Sequence, residues 1–405
     1  MEKILNTGRK IIPSSIFSFF QPTYHYFMAF LGVLIYRFPS KEIKVIGVTG
    51  TKGKSTTVEI ISAILEEAGF KTALSNTIRF KIGNESEPNK YKMSMPGRFF
   101  VQRFIRQAVE AKCDYVILEM TSQGVLQYRH KFIDLDAFVF TNLSPEHIES
   151  HGSYENYRDA KIEIAKLLNH SSKRPRVLIV NEDDKESGRF LEINAEVKKT
   201  FSIKNTKFPS SLPGEFNQYN SSAAGSLCEA LGINEDIIRR AIRNFKEIKG
   251  RVEKIEEGQD FTVIVDYAHT ADSMEKLFQT FPNSRKICVF GATGGGRDKW
   301  KRPLMGEVAD KYCEEIFLTN DDPYDENPEQ IVEEIRKGIK IHTPKIIIDR
   351  REAIKEAIKI AKKDDVVLIT GKGTDAYLML ADNKKIPWND AQITREEVKK
   401  LLGSN

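Results

Sequence analysis

The stretch VIGVTGTKGKSTT, Val45 to Thr57, decides the fold. Val45, Ile46 and Val48 form a short apolar run that reads as a buried parallel strand. Gly50, Thr51, Lys52 and Gly53 follow at once. Lys54, Ser55 and Thr56 then open a segment in which Val58, Ile60, Ile61, Ile64 and Leu65 keep helical spacing. Strand, glycine loop and helix, in that order, turn a phosphate-loop pattern into a mechanism. Glycines let backbone N–H groups close around phosphate oxygens, and the helix N-terminus adds its dipole. Lys54 is placed to reach the β- and γ-phosphates, and the Ser55 or Thr56 hydroxyl to hold Mg²⁺. The stretch therefore predicts a nucleoside triphosphate site.

Outside it, composition narrows the class. A chain of 405 residues has room for two or three domains. Its 62 basic and 57 acidic residues leave a net charge of +5, too balanced to imply a nucleic-acid partner. Cys113, Cys228, Cys288 and Cys313 are far apart and lack metal-ligand spacing, which predicts core thiols in a reduced, cytoplasmic protein. Residues 11–39 are unusually aromatic, with Phe17, Phe19, Phe20, Tyr24, Tyr26, Phe27, Phe30 and Tyr36. The longest apolar run there, Phe27 to Tyr36, is too short for a bilayer, which needs about 20 residues. No small-residue cleavage site precedes the nucleotide strand, so a secretory signal is not expected. One or two amphipathic helices lying on the protein body are. The alternative is peripheral membrane contact, with Arg9, Lys10 and Arg37 at the headgroups, or self-association through residues 1–40.

From Val45 to about Asn181 strand-like and helix-like segments alternate. Tyr115–Leu118, Ala137–Phe140 and Arg176–Val180 read as strands, and Phe99–Glu110 and Tyr154–Leu168 as helices. The pattern restarts near Arg251, with strands expected at Phe261–Val265, Ile287–Phe290, Glu315–Thr319, Lys345–Ile348 and Val366–Ile369. Such alternation predicts an α/β protein. Its parts are a short aromatic, helical N-terminal segment (1–44), a central P-loop ATPase-type domain with a mostly parallel sheet (45–250) and a Rossmann-like C-terminal α/β domain (251–405). Functional residues in such sheets collect beyond the carboxyl ends of the strands. Glu119 stands at one such tip, where an acid beside a phosphate loop is placed to bind Mg²⁺, although a solvated loop acid fits the pattern equally well. The next strand leads to His147, with His151, Tyr157 and Lys161 beyond, and an isolated histidine is more often structural than a ligand.

Taken together these segments resemble the Mur ligases, the ATP-dependent amide ligases of peptidoglycan synthesis, and within them the MurE-type branch. The likeness runs collinearly through GTKGKSTT (50–57), LEMTSQGV (118–125), FTNLSPEHIESHG (140–152), YRDAK (157–161), GEFNQYNSSAA (214–224) and GRVE (250–253). It continues through VDYAHTAD (265–272), FGATGGGRDKWKRPLMG (290–306), TNDDPYDENP (319–328), GKGTDAY (371–377) and WNDAQ (388–392). The resemblance implies that Lys54, Glu119, His147 and Lys161 are catalytic. Lys161 matches a lysine carried as its carbamate, whose negative charge would help His147 hold a second Mg²⁺ beside the one held by Ser55 and Glu119. It implies ATP contacts from Gly50 through Thr56, from Asn217 and Asn220 on one helical face, and from Arg251, Asp266 and His269 of the second domain. It assigns the incoming amino acid to Arg297, Asp321, Asp322, Tyr324, Gly371 and Asp375, and the acceptor to Ser94, Thr121 and Ser122. The implied chemistry is two-step: a carboxylate takes the γ-phosphoryl group to form an acyl phosphate, and an amine then displaces phosphate.

Two departures matter. A MurE-type enzyme carries roughly a hundred N-terminal residues that hold UDP, whereas about 44 aromatic and apolar residues precede the nucleotide strand here, so another handle on the acceptor, a lipid for example, is considered. Diaminopimelate-selecting members carry Asp-Asn-Pro-Arg, but this chain reads Asp321-Asp322-Pro323-Tyr324. Tyrosine cannot make the bidentate contact of arginine with a distal carboxylate. With Asp322 and Asp375 acidic, lysine or another diamine is the expected amine. Folylpolyglutamate, polyglutamate or cyanophycin-type ligation and a non-catalytic ATP-binding scaffold are the alternatives. The scaffold is disfavoured by the presence of Lys54, Glu119, His147 and Lys161.

Overall fold

The computed structural model of the chain describes residues 14–403; the expectations for residues 1–13 lie outside the described residues. Two open sheets carry the molecule. The first joins β1 (Lys44–Thr49), β2 (Thr72–Ser75), β3 (Arg79–Ile82), β4 (Glu85–Pro88), β5 (Tyr115–Glu119), β6 (Ala137–Phe140), β7 (Val177–Asn181) and β8 (Val197–Phe201). Their order across the sheet is β4-β3-β2-β5-β1-β6-β7-β8. All neighbours run parallel except β3, which pairs antiparallel with both β2 and β4. Strand β1 lies between β5 and β6, with Gly47 opposite Leu118 and Phe138. It is buried at every position from Val45 on, because helices cover both faces and leave no solvated side for alternation.

The second sheet contains β9 (Glu253–Ile255), β10 (Thr262–Asp266), β11 (Lys286–Phe290), β12 (Glu315–Leu318), β13 (Lys345–Ile346) and β14 (Val366–Thr370), ordered β13-β12-β11-β14-β10-β9. Only β9 is antiparallel, on β10. The apolar run that suggested a strand over 345–348 pairs for two residues only, since both are exposed at the sheet edge. The polar edge strands β3 and β4 and the short β2 escape a reading based on apolar runs. The helix expected as Tyr154–Leu168 is broken after Ala165 and resumes as Leu167–His170.

The aromatic N-terminal segment forms the helix Ser14–Ile35, which packs on the helix Arg98–Glu110. Ala29 and Val33 are buried in that contact, and Tyr26 and Phe30 set their rings against Phe132. The other face leaves Phe27, Leu34 and Ile35 exposed. Among the described residues no helix is long and apolar enough to cross a membrane.

The C-terminal helix Asp390–Gly403 is fastened to the second sheet by a charge pair with no solvent exposure on either side chain. Arg350 donates from Nε and Nη2 to the two Asp390 oxygens at 2.9 and 2.7 Å, and from Nη2 to the Thr370 carbonyl at 2.8 Å. Trp388 Nε1 also donates to Asp390. The pair thus holds the end of β14, from which the loop 371–375 departs. Asp390→Ala would leave the guanidinium buried without its counter-ion, at a cost of about 3–5 kcal/mol. A correspondingly lower urea midpoint, followed by tryptophan fluorescence, is the expected result.

Candidate active site

The phosphate loop sits where β1 ends. Thr51 donates its N–H to the Asn142 carbonyl at 2.8 Å, and Lys52 its N–H to Asn142 Oδ1 at 2.9 Å. Thr141 Oγ1 returns a bond to the Lys52 carbonyl at 2.8 Å. The segment after β6 thus holds the loop open from one side, which motif reading alone does not reveal. From the other side Asn220, on the helix Glu215–Ala230, closes on Gly53. A Cβ at Gly53 would lie 2.2 Å from Asn220 Oδ1, and φ there is +82°, so glycine is required twice over. Asn217 accepts from Asn220 Nδ2 at 3.1 Å and holds it in place.

Beside the loop, Ser55 Oγ donates to Glu119 Oε2 at 2.7 Å, and Thr77 N–H reaches the same oxygen at 3.1 Å. A hydroxyl and a carboxylate at the start of a helix and the tip of a strand are hard oxygen donors, and the pair fits a magnesium ion shared with phosphates. Lys54 Nζ donates to the Thr51 carbonyl at 2.8 Å, and its pKa is lowered chiefly by burial. Lys161 lies beneath the loop and is itself buried. Its Nζ donates to the Gly50 carbonyl at 2.7 Å and stands over the Tyr157 ring at 4.8 Å. Burial, reinforced by the charge of Lys54, drives its pKa far below the ordinary lysine value. His147 caps the next short helix with a left-handed backbone, φ +58°, a strained conformation of the kind found at functional sites. Burial pushes its imidazole down to about 3, so the ring is neutral and free to ligate.

The wall opposite comes from the second sheet. Arg251 reaches across to Thr77 Oγ1 at 3.4 Å and stacks over Tyr267 at 4.3 Å. The His269 ring lies between the Tyr267 carbonyl, 2.8 Å from Nδ1, and Glu146, 3.3 Å from Nε2. Burial would raise the Glu146 carboxyl, but Lys52, 3.1 Å away, and His269 outweigh it and hold it well below the usual range. Asp266 accepts from Val252 N–H and Ala268 N–H, both at 2.7 Å, so it ties the entry to β9 to the loop after β10 while also lining the cleft.

Between these walls lies a cavity of about 750 Å³. Lys54, Ser55, Glu119, His147, Asn220, Arg251 and His269 line it, and so do Arg297, Asp321, Asp322, Tyr324, Gly371 and Asp375. Ser94 and Thr121 also face it. Gly50, Lys161, Asn217 and Ser122 are not among the lining residues. Gly50 and Lys161 sit behind the loop, Asn217 behind Asn220, and Ser122 Oγ turns to His151 Nε2 at 3.1 Å. Among the further lining residues that escaped the sequence reading are Lys92, Arg129, Glu146 and Glu149. Arg129 carries a visible signal, an arginine seven residues beyond Ser122 in the 118–130 segment. It donates to the Met95 carbonyl, and burial lowers its pKa to about 10. The other three are ordinary charged residues whose importance comes only from what faces them.

Comparison with known proteins bears on this arrangement directly. The Mur ligase middle domain matches residues 48–207, and the Mur ligase glutamate ligase domain matches residues 250–373. A UDP-N-acetylmuramoyl-L-alanyl-D-glutamate–2,6-diaminopimelate ligase from Syntrophomonas wolfei is 35% identical over 401 residues, covering 91% of this chain and 81% of the relative. The chain belongs to the Mur ligase family. It is an ATP-dependent ligase that forms amide bonds, and magnesium serves the family alongside ATP. A solved structure of a diaminopimelate ligase of the same name is 26% identical, with a TM-score of 0.59 over 89% of this chain and 79% of that one. The Mycobacterium tuberculosis folylpolyglutamate synthase complexed with ADP and AMPPCP shares the fold, with a TM-score of 0.65 at 14% identity over 93% and 95% of the two chains.

In this ligase the two halves also meet through acids. Burial first, and then a hydrogen bond with the Asp298 carboxyl, push Glu149 up to about 7. An acid whose pKa is raised above its ordinary value of 4.5 adds stability that is complete below 4.5 and is lost as pH rises through about 7. The thermal midpoint of the wild type should therefore fall between about pH 5 and about pH 8. Glu149→Gln should flatten that part of the profile in scanning fluorimetry.

Proposed function

We propose that this ligase adds an amino acid to a UDP-N-acetylmuramoyl-L-Ala-D-Glu-like carboxylate in peptidoglycan precursor synthesis. We also propose that the amino acid is lysine or another diamine rather than diaminopimelate. One observation carries the reading: the phosphate loop and an acidic pocket on the other sheet open into the same cavity. An acceptor carboxylate between them meets ATP on one side and an amine on the other. Ser94, Thr121 and Arg129 line the span where it would lie. The acceptor oxygen attacks the γ-phosphorus and ADP departs, with Lys54 countering charge on the transferred group. Magnesium, held by Ser55 and Glu119, supplies further neutralisation of the phosphates when bound. The amine, deprotonated for attack, then adds to the acyl carbon. Phosphate leaves with its bridging oxygen, and the new C–N bond remains.

Positioning and electrostatics supply the rate, because no side chain forms a bond to substrate. Arg297 is the cation available for the α-carboxylate of the amino acid. Tyr324, where an arginine would grip a distal carboxylate, and the acids Asp322 and Asp375 support an amine with a cationic end. Lys161 fits the carbamate role, since addition of CO₂ needs an unprotonated amine and burial provides one. With His147 it would hold a second magnesium ion. A lipid-linked acceptor is the second reading, favoured by the exposed Phe27, Leu34 and Ile35 on the N-terminal helix, a surface suited to a membrane interface.

Two experiments test these statements. Phosphate release is measured with ATP, UDP-N-acetylmuramoyl-L-Ala-D-Glu and, separately, lysine, ornithine, diaminopimelate or glutamate, with mass spectrometry of the product. A product one diamine heavier is expected. Turnover with diaminopimelate alone refutes the amine assignment, and silence with every amine refutes the acceptor. Lys161→Ala should abolish turnover, with partial recovery in acetate or bicarbonate. Full activity in that variant rules out the carbamate.

A further inference from the structure

The acidic pocket already holds an ammonium group. Lys92 lies in the loop between β4 and the helix Arg98–Glu110, on the phosphate-loop half of the molecule. Its Nζ reaches Asp322 Oδ2 at 2.6 Å and Asp375 Oδ2 at 3.0 Å, both on the other half. Asp322 Oδ1 is taken in turn by Lys372 Nζ at 2.8 Å and by the Met379 N–H at 2.7 Å. Every carboxylate oxygen of Asp322 is therefore engaged before any substrate enters. An ordinary surface ion pair does not look like this. Asp322 is 4% exposed, and its backbone and that of Tyr324 are left-handed at φ +25° and +53°, strain held in a turn that faces the cavity. Two residues from Lys92, the buried Ser94 Oγ has no hydrogen-bond partner although Ser94 lines the same cavity.

The group that Lys92 presents, a primary ammonium on an unbranched four-carbon stem, is chemically the distal end of lysine. We propose that Lys92 is a specificity-determining residue of the amine site: it occupies the subsite of the distal ammonium, and a cationic amino acid must displace it. Resting on the diamine reading above, the idea adds a consequence of its own, that the site discriminates by competition. A neutral amino acid cannot take Asp322 and Asp375 from Lys92, whereas a diamine replaces one ammonium by another at no loss of charge pairing. The same contact ties the two halves together around the empty pocket, alongside His269–Glu146 and Arg251–Thr77.

Lys92→Met removes the competitor while keeping an unbranched stem. Binding is measured by calorimetry on the full chain with Mg²⁺ and a non-hydrolysable ATP analogue, titrating lysine and its neutral isostere norleucine. If the pocket is free of Lys92 about a tenth of the time, the variant should bind lysine about tenfold more tightly than wild type. Norleucine affinity should be unchanged, and Lys92→Arg, which keeps the charge, should behave as wild type. Equal or weaker lysine binding in Lys92→Met overturns the proposal. Should no diamine bind any of the three proteins, the diamine reading fails, and small-angle scattering of the ligand-free proteins decides the role of Lys92. A larger radius of gyration in Lys92→Met than in wild type and Lys92→Arg supports its hold on the pocket, and identical radii overturn it.

Discussion

Two ammonium groups, the half-buried Lys54 and the buried Lys161, stand on either side of one glycine loop, and the polar partner each reaches is a backbone carbonyl. Lys54 bonds Thr51 and Lys161 bonds Gly50, so the loop between Val48 and Ser55 is held in a field of excess positive charge. Burying an ion without a counter-ion costs several kcal/mol, and the usual response is a fall in pKa toward the neutral form. That is the direction of both lysines. The site is therefore built to gain energy when phosphate anions arrive above the loop. Its neighbours hold the loop in shape: Asn142 and Thr141 bond its backbone, Asn220 packs against Gly53, and the glycines keep conformations that other residues avoid.

A second constraint follows from topology. Both sheets present the carboxyl ends of parallel strands to the cleft, β1, β5 and β6 from one side and β10, β11 and β14 from the other. Chemistry-bearing loops accumulate there because helices close the faces of each sheet and leave only the strand ends free. Stability and function meet at the same points. The Arg350–Asp390 pair has no contact with the cavity, yet it holds Thr370, from which the loop bearing Asp375 departs. Asp266 lines the cleft while its two oxygens fix the backbone just before β9 and just after β10.

The charges facing one another across the cleft are unlike in sign in some pairs and alike in another. His269 meets Glu146, with which Lys52 of its own half also pairs, and Lys92 meets Asp322 and Asp375, whereas Glu149 meets Asp298. The contact between the two halves thus joins opposite charges and also sets two carboxyl groups side by side, where burial and the Asp298 carboxyl raise the pKa of Glu149.

Local sequence was sufficient for the nucleotide half of the site, because strand, loop and helix are contiguous and their residues act through backbone geometry. Glu119 and His147 each stand just beyond a buried apolar run, but that position left their roles open and only the family resemblance implied them. Pairing in the sheets was less legible: β3 and β4 are polar edge strands whose partners lie across a turn, and no periodicity marks them. Lys92, Glu146 and Glu149 were invisible. A charged residue acquires meaning from the group opposite, and the partners here are 230 residues away for Lys92 and Asp322. The burial that makes Lys161 a weak base also depends on a helix folded beneath a loop more than a hundred positions earlier in the chain. The sequence by itself determined which side chains can carry phosphate, metal and amine chemistry. Only the tertiary structure decided which of them face one another and in what dielectric, because charge and desolvation depend on distances that the order of residues does not contain.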